Sequence, residues 1–210
     1  MPTALDAAKA VRDRFGEKIG TPIVFADKVT GRDEVTITVP RENIVVVCSF
    51  LKGDAGCAFD YLVDICGVDN YDAAPRFEVD YLIYSMKNGG LLRLKVGVPE
   101  SDPTVPSVSS VWRTADWHER EAYDMIGIRF TGHPDLRRIL MWEGYPFHPL
   151  RKDFPLEGKP SDVPDVAFTE AAPLDGGPFV TTPAEHAAGR EPRVRTNALP
   201  GDVRDKSGGP

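Results

Sequence analysis

The spacing of hydrophobic residues divides the first half of the chain into short helices and strands. Residues 4–15 carry apolar side chains at helical spacing and end at Gly16, so they predict an amphipathic helix. Residues 23–25 and 34–39 are rich in β-branched side chains, and the turn residues between them indicate a hairpin. Residues 41–52 open on Arg-Glu directly after a proline, which predicts a second helix.

The following hydrophobic segments predict another helix, a second hairpin and a short helix. Residues 57–66 place four apolar side chains on one side of a helical projection, so we expect a helix there. Residues 77–84 and 91–96 read as strands joined by an Asn-Gly-Gly turn. A short helix that carries Trp112 is expected after two prolines. This order indicates an α+β domain over residues 1–154, in which helices cover a small, mainly antiparallel sheet of about four strands.

The composition changes after residue 154. Nine prolines and seven glycines fall in the last 56 residues, which carry few large apolar groups. We therefore predict that residues 155–195 form an extended tail that lies across a partner protein. Residues 196–210 are predicted to be a disordered end.

Charge and hydrophobicity exclude several classes of function. The net charge of −7 disfavours nucleic acid and anionic lipid as main partners. The chain has no run of about eighteen apolar residues that could span a bilayer, and its N-terminus lacks the apolar core of a secretory signal, so we expect a cytoplasmic location. Residues 112–154 contain seven basic and seven acidic residues with all three tryptophans, which indicates paired charges rather than phosphate binding.

A charged helix is predicted to begin at Thr114 or Asp116 and to end at Gly127. Glu119 stands three residues after Asp116, in capping-box relation. Arg120 is four residues from an aspartate on either side, so two ion pairs can form along the helix.

One face of this helix combines an aromatic residue with two carboxylates. Trp117, Glu121 and Asp124 recur at helical spacing, so a buried face would carry both carboxylates inside. Buried carboxylates need cations, and Arg137 and Arg138 are the nearest candidates in sequence. We therefore expect buried ion pairs between these two groups.

A metal site is the alternative interpretation of the same segment. His118 and Glu121 are three residues apart and could share a metal ion in a free-standing metalloenzyme, with His133 as a further ligand. The chain has no C-x-x-C pair, nucleophile elbow, phosphate-binding loop or dinucleotide fingerprint. Its three cysteines stand among apolar residues, which predicts small buried side chains rather than metal ligands or disulfides.

Five runs of residues, together with Phe130, carry a family resemblance. The runs are Glu119-Arg120-Glu121, Asp124-Met125, Gly127-Ile128, Gly132-His133-Pro134-Asp135-Leu136-Arg137-Arg138-Ile139-Leu140 and Pro149-Leu150-Arg151-Lys152-Asp153-Phe154-Pro155. With this spacing, the segment 117–154 resembles the signature of the thirty-kilodalton subunit, or C subunit, of proton-pumping NADH:quinone oxidoreductase, which is respiratory complex I. The sequence differs from the family at Ile126, where an aromatic residue is usual, and in the longer run 145–148 before Pro149.

The resemblance implies a role in assembly. It implies an accessory subunit without a cofactor, in a complex that passes electrons from NADH through FMN and iron–sulfur clusters in other subunits to quinone. The expected partners are the hydrogenase-like, quinone-reducing large subunit (the D subunit) and its iron–sulfur neighbours (the B and I subunits). The chain would lie peripherally at the cytoplasmic face of the cell membrane. A related membrane-bound hydrogenase, or a quinone reductase that does not use NADH, would share this signature.

The signature also supplies the residues expected at the subunit interface, whereas no catalytic, cofactor-binding or metal-binding residue is predicted. The expected interface residues are Trp117, Glu119, Arg120, Glu121, Asp124, His133, Asp135, Arg137, Arg138, Arg151, Lys152, Asp153 and Phe154.

Overall fold

The computed structural model describes residues 2–26 and 33–155. Met1–Phe154 forms one compact unit, and the chain from Pro155 onward is separate from it. The tail predicted from residue 155 and the disordered end predicted from residue 196 lie outside the described residues, apart from Pro155 itself.

Three helices form in the described part of the chain where the sequence predicts helices. They are α1 (Ala4–Phe15), α2 (Ile44–Gly53, preceded by a 3-10 turn at Arg41–Asn43) and α3 (Ala115–Ile126). Thr3 and Asp6 close a capping box at the start of α1. Gly127 ends α3 with a φ of +86°, a left-handed conformation that glycine adopts at low cost.

Five strands form the main sheet. They are β1 (Ile23–Ala26), β2 (Asp33–Thr38), β3 (Tyr61–Asp69), β4 (Phe77–Ser85) and β5 (Gly90–Val98), in the spatial order β1-β2-β5-β4-β3. Neighbouring strands are antiparallel except β2 and β5, which are parallel. Both predicted hairpins are therefore confirmed, and so is the α+β fold class. The sheet has one strand more than the sequence predicts.

The additional strand replaces the helix predicted over residues 57–66, and that prediction was wrong. A β-bulge between Leu62 and Asp64 shifts the pairing of β3 with β4 by one residue. Because of the shift, the buried side chains Leu62 and Ile65 are three residues apart, which imitates helical spacing.

The short helix expected after the two prolines is also absent from the described residues. Residues 109–111 form a turn instead, and the main-chain N–H groups of Val111 and Trp112 donate to the carbonyl oxygen of Val108. Just before this turn, β6 (Thr104–Pro106) pairs with β7 (Arg129–Thr131) in a second, two-stranded parallel sheet. Val105 and Phe130 are register partners in it, and both are buried. This pairing anchors the chain after α3 to the chain before it.

The helices cover one face of the main sheet. Every second residue of β4 and β5 is buried on that face, beginning with Phe77 and Leu92. Helix α3 packs closely on β3 at Gly67, where an added Cβ would lie 3.1 Å from the Ile126 side chain. Helix α1 packs closely on β5 at Gly90, where an added Cβ would lie 3.4 Å from the Cβ of Ala4. None of the described helices is long and apolar enough to cross a membrane.

Candidate functional site

Asp124 is a buried carboxylate that holds a loop against α3. Its Oδ2 accepts main-chain hydrogen bonds from Ile139, Leu140 and Met141 at 3.0, 2.7 and 2.8 Å, and its Oδ1 lies 2.5 Å from Nη1 of Arg138. Burial alone would raise the pKa of Asp124, but these hydrogen bonds outweigh it and lower the pKa. The expected buried ion pair with Arg138 is therefore present, and the same carboxylate fixes the course of the main chain.

Arg120 fastens the preceding part of this loop. Its Nε and Nη2 donate to the carbonyl oxygens of Arg137 and Arg138 at 3.1 and 3.2 Å, and its guanidinium lies 5.1 Å from the Trp117 ring. The two ion pairs predicted for Arg120 along the helix were wrong, because its donors are used by these main-chain carbonyls. Helical spacing cannot show where a loop outside the helix lies, so it could not predict these contacts.

Glu119 is fully buried and joins α3 to the segment before it. Its Oε2 accepts a hydrogen bond from Oγ of Ser107 at 2.6 Å, and its Oε1 accepts the main-chain N–H of Val108 at 2.7 Å. Burial raises the pKa of Glu119 to about 7, although these hydrogen bonds partly oppose the shift. The predicted capping box was therefore wrong, since Glu119 points into the core and Thr114 forms no side-chain cap bond.

The two histidines proposed as metal ligands contact different groups. Nδ1 of His133 accepts the main-chain N–H of Asp135 at 3.0 Å, so Nε2 carries the proton and donates to the carbonyl oxygen of Asp116 at 3.1 Å. His118 instead places Nδ1 3.0 Å from Oδ1 of Asp64 on β3. Within residues 2–26 and 33–155, no three His, Cys, Asp or Glu side chains are arranged to hold a metal ion. The metalloenzyme interpretation therefore has no site in this part of the molecule.

Arg151 fixes the last part of the signature against the end of α3. Its Nε donates to the carbonyl oxygen of Ile126 at 2.6 Å, and its guanidinium lies 5.0 Å from the ring of Phe77. Gly127 makes this approach possible, because an added Cβ there would lie 2.5 Å from Nη2 of Arg151 and 2.6 Å from Nε2 of His148. The glycine thus serves the packing of the following loop as well as the end of the helix.

Lys152 and Asp153 contact two residues that the sequence analysis did not identify. The main-chain N–H of Lys152 donates to Asp69, and Asp153 forms an ion pair with Arg76. Asp69 and Arg76 flank the β3–β4 turn and are 83 and 77 positions from their respective contacts, so no local pattern connects them with the signature. Phe154 is half-buried, with its ring 5.9 Å from that of Phe147.

Several signature residues are exposed, contrary to the expectation of a buried helix face. The exposed fraction of Trp117 is 61%, and Glu121 is also exposed, whereas Asp124 is buried. The side chain of Arg137 is 65% exposed and, among the described residues, forms its ion pair with nearby Asp135, at 2.9 Å. The expected burial of Trp117, Glu121 and Arg137 was therefore wrong, because only the Arg120 and Asp124 side of α3 meets the loop. The neighbouring Leu140 and Leu150 are also exposed.

The cysteines only partly follow their prediction. Cys48 and Cys57 are buried, whereas Cys66 is exposed because it follows the buried Ile65 on β3 and its side chain points to the opposite face of the sheet. Partial desolvation of the sulfur, together with a 2.9 Å hydrogen bond to Oδ2 of Asp64, raises the pKa of the Cys66 thiol to about 12. All three are free thiols.

Comparison with known proteins identifies clear relatives. The family model described as "Respiratory-chain NADH dehydrogenase, 30 Kd subunit" matches residues 37–160. The second C subunit of NADH-quinone oxidoreductase from Rhizobium meliloti (strain 1021) is 55% identical over 144 residues, which are 63% of this chain and 79% of that protein. The C subunit of NADH-quinone oxidoreductase from Acidithiobacillus ferrooxidans (strain ATCC 53993 / BNL-5-31) is 44% identical over 160 residues, 73% of this chain and 78% of that protein.

Two solved structures share the fold. The trypsin-resistant fragment (1-134) of Nqo5 has a TM-score of 0.50 and 29% sequence identity, over 61% of this chain and 95% of the fragment. A chain of the membrane-bound sulfane sulfur reductase, an archaeal respiratory membrane complex, has a TM-score of 0.57. Its identity is 19%, over 70% of this chain and 83% of that chain, so this likeness concerns the fold alone.

Proposed function

The chain belongs to the family of the 30-kilodalton subunit of respiratory-chain NADH dehydrogenase, and on that premise we propose that it is a structural subunit of NADH:quinone oxidoreductase. Its role would be to brace the hydrogenase-like, quinone-reducing large subunit in the peripheral arm of the complex. The chain itself would supply no catalytic group and no cofactor. FMN and the iron–sulfur clusters would reside in partner subunits, and the complex would lie at the cytoplasmic face of the membrane.

The observation that carries this proposal is how the signature uses its buried polar groups. Glu119, Asp124 and His133 have fully buried side chains that are hydrogen-bonded within this chain, and Arg120 and Arg138 are held in the same way. These groups fasten the loop after α3 to the body of the domain. Such a framework is suited to presenting a fixed surface to a partner.

The surface so presented has the composition of a protein interface. Trp117 and Leu140 are 61% and 62% exposed, and Arg137 stands between them in sequence with a largely exposed side chain. Exposed aromatic and arginine side chains on a rigid framework commonly contribute most of the binding energy at interfaces. We therefore propose Trp117, Arg137 and Leu140 as direct contacts with the partner, and the buried residues as their support.

A related hydrogenase or a quinone reductase that does not use NADH remains the second candidate from the signature. The relatives at 44–55% identity are all named as the C subunit of NADH-quinone oxidoreductase, which supports the first candidate. The sulfane sulfur reductase shares only the fold with this chain. A flavin subunit that binds NADH, recovered together with this chain, would separate the two candidates.

Recovery of the complex tests the proposal. The tagged full-length chain is purified from its native membranes in mild detergent, its companions are identified by mass spectrometry, and the eluate is assayed for NADH:quinone oxidoreduction. We expect the large peripheral-arm subunits and activity to accompany the chain. Recovery of the chain without them would contradict the proposal.

A pair of variants locates the docking surface. Trp117→Ala combined with Leu140→Ser should reduce the recovered partner subunits by roughly tenfold or more, because interface aromatics contribute strongly to affinity. Met86→Ser is the matched control, since Met86 is 68% exposed in the β4–β5 turn and lies outside the signature. Equal recovery with both variants would show that the docking surface lies elsewhere.

A further inference from the structure

Residues 148–154, here called the exit segment, connect the described domain to the rest of the chain. The main-chain N–H of Leu150 donates to the carbonyl oxygen of Met125 at 3.1 Å, and Arg151 is bound to the next carbonyl of α3, that of Ile126. These contacts fasten the first half of the exit segment to the end of α3. They do not fix the main chain at Lys152 and Asp153, which is held by other groups.

An ion pair at one end of the main sheet binds the second half of the exit segment. Asp69 ends β3, Arg76 directly precedes β4, and the guanidinium meets the carboxylate through Nε at 3.0 Å and Nη2 at 2.9 Å. Oδ2 of Asp69 also accepts the main-chain N–H of Lys152 at 2.8 Å, and Nη2 of Arg76 lies 3.2 Å from Oδ1 of Asp153. One bidentate pair therefore holds two successive residues of the exit segment.

The pairing of β3 with β4 does not by itself require a buried ion pair at the end of the hairpin. Eight register pairs from Tyr61 to Asp69 already join the two strands. The Asp69 side chain is fully buried and that of Arg76 is 11% exposed, and desolvating such a pair is favourable only when its hydrogen bonds are satisfied. The Lys152 N–H supplies one of the bonds that satisfy it. The geometry thus couples the hairpin ion pair to the exit segment.

We propose that Asp69 and Arg76 are positioning residues that fix where, and in which direction, the chain leaves the domain, and that partner binding by the residues after Phe154 depends on this fixed exit. The first part of the proposal concerns this chain alone. The second part rests on the proposed function, because it requires a partner in the complex.

Hydrogen–deuterium exchange of the full-length chain tests the first part. Asp69→Asn should accelerate exchange in the peptide that covers the exit segment by about tenfold, because the main-chain N–H of Lys152 loses a charged acceptor. Asp153→Asn should have a smaller effect in the same direction, and Asp153→Glu should restore slow exchange. Glu100→Gln is the matched control: Glu100 lies 2.6 Å from Nη1 of the same arginine but outside the exit segment.

Unchanged exchange in both asparagine variants would overturn the positioning role. The melting temperature of each variant serves as the check that it has folded. If Asp69→Asn does not fold, Asp153→Asn decides the question, because the Asp153 side chain is 49% exposed and its substitution leaves the Asp69–Arg76 pair intact.

Purification of each variant from native membranes tests the second part. We expect several-fold less of the partner subunits with Asp69→Asn and Asp153→Asn, and wild-type recovery with Glu100→Gln and Asp153→Glu. Faster exchange with undiminished recovery would overturn the link to partner binding. If even the wild-type chain is recovered without partners, the proposed function fails, whereas the exchange measurement still decides the positioning role by itself.

Discussion

Glu119 provides the sharpest test of the buried framework, because it couples the stability of the domain to pH. Burial, with a smaller contribution from Asp116, raises its pKa from the ordinary value of 4.5 to about 7 in the folded chain. The folded state therefore binds the proton more tightly than the unfolded state. The resulting stability is fully present below pH 4.5 and is lost as the pH rises through about 7.

Glu119→Gln removes this titration while keeping the shape of the side chain. The amide oxygen can still accept the N–H of Val108, and the amide nitrogen can donate to Oγ of Ser107 across the contact that Glu119 Oε2 makes with this hydroxyl. The difference between a pKa of 7 and one of 4.5, at about 1.4 kcal/mol per pH unit, is roughly 3 kcal/mol. The variant should gain about that much free energy of unfolding relative to wild type between pH 4 and pH 8.

Urea unfolding of the full-length chain, followed by tryptophan fluorescence at a series of pH values, measures this change. Asp80, whose pKa burial and the neighbouring Glu78 raise to about 6, titrates in both proteins and cancels in their difference. Glu121→Gln on the exposed side of the same helix is the control and should run parallel to wild type. A constant difference between Glu119→Gln and wild type would refute the reasoning. A change of opposite sign would indicate that the folded chain stabilises the charged form of the Glu119 carboxylate.

Three further substitutions test the packing of the signature, with urea unfolding or thermal melting as the measurement. Asp124→Ala should cost about 3–5 kcal/mol, because it leaves Arg138 without its carboxylate and removes the acceptor of three main-chain N–H groups; a cost below 1 kcal/mol would contradict its structural role. Gly127→Ala should cost clearly more than Gly132→Ala. Both glycines have positive φ, at a cost of roughly 1–2 kcal/mol for alanine, but only at Gly127 would the added Cβ meet other atoms closely. Arg137→Ala should change stability by less than about 0.5 kcal/mol, since its ion pair is exposed, and a large loss would show that its charge is buried in the folded chain.

Sequence patterns were sufficient where the cause of the structure is local. The apolar spacing over residues 4–15, the Asn-Gly-Gly turn between β4 and β5 and the glycine after α3 each report on a few neighbouring residues, and the elements formed as predicted. The α+β class followed from their order. The same logic failed over residues 57–66, because a bulge in β3 produces the three-residue spacing that otherwise indicates a helix.

The sequence also identified residues of the candidate site and one of their ion pairs, but not the other groups that they contact. The signature identified Asp124 and Arg138, and the need of a buried carboxylate for a cation correctly suggested that they pair. Helical spacing could not decide which residues of α3 face the core. Trp117 was expected to be buried and is exposed, while Glu119 was expected at a cap and is buried.

By itself, the sequence determined the α+β class, three of the helices, both hairpins, the family and the charged segment on which the site is built. Only the tertiary structure decided what each charge does. The carboxylates of Glu119, Asp124 and Asp69 bind main-chain N–H groups of distant loops as well as side chains. Every residue except proline carries such an N–H group, so residue identity does not mark the partner. Which N–H a buried carboxylate meets depends on how the loops close over the sheet, and that becomes visible only when the whole domain is assembled.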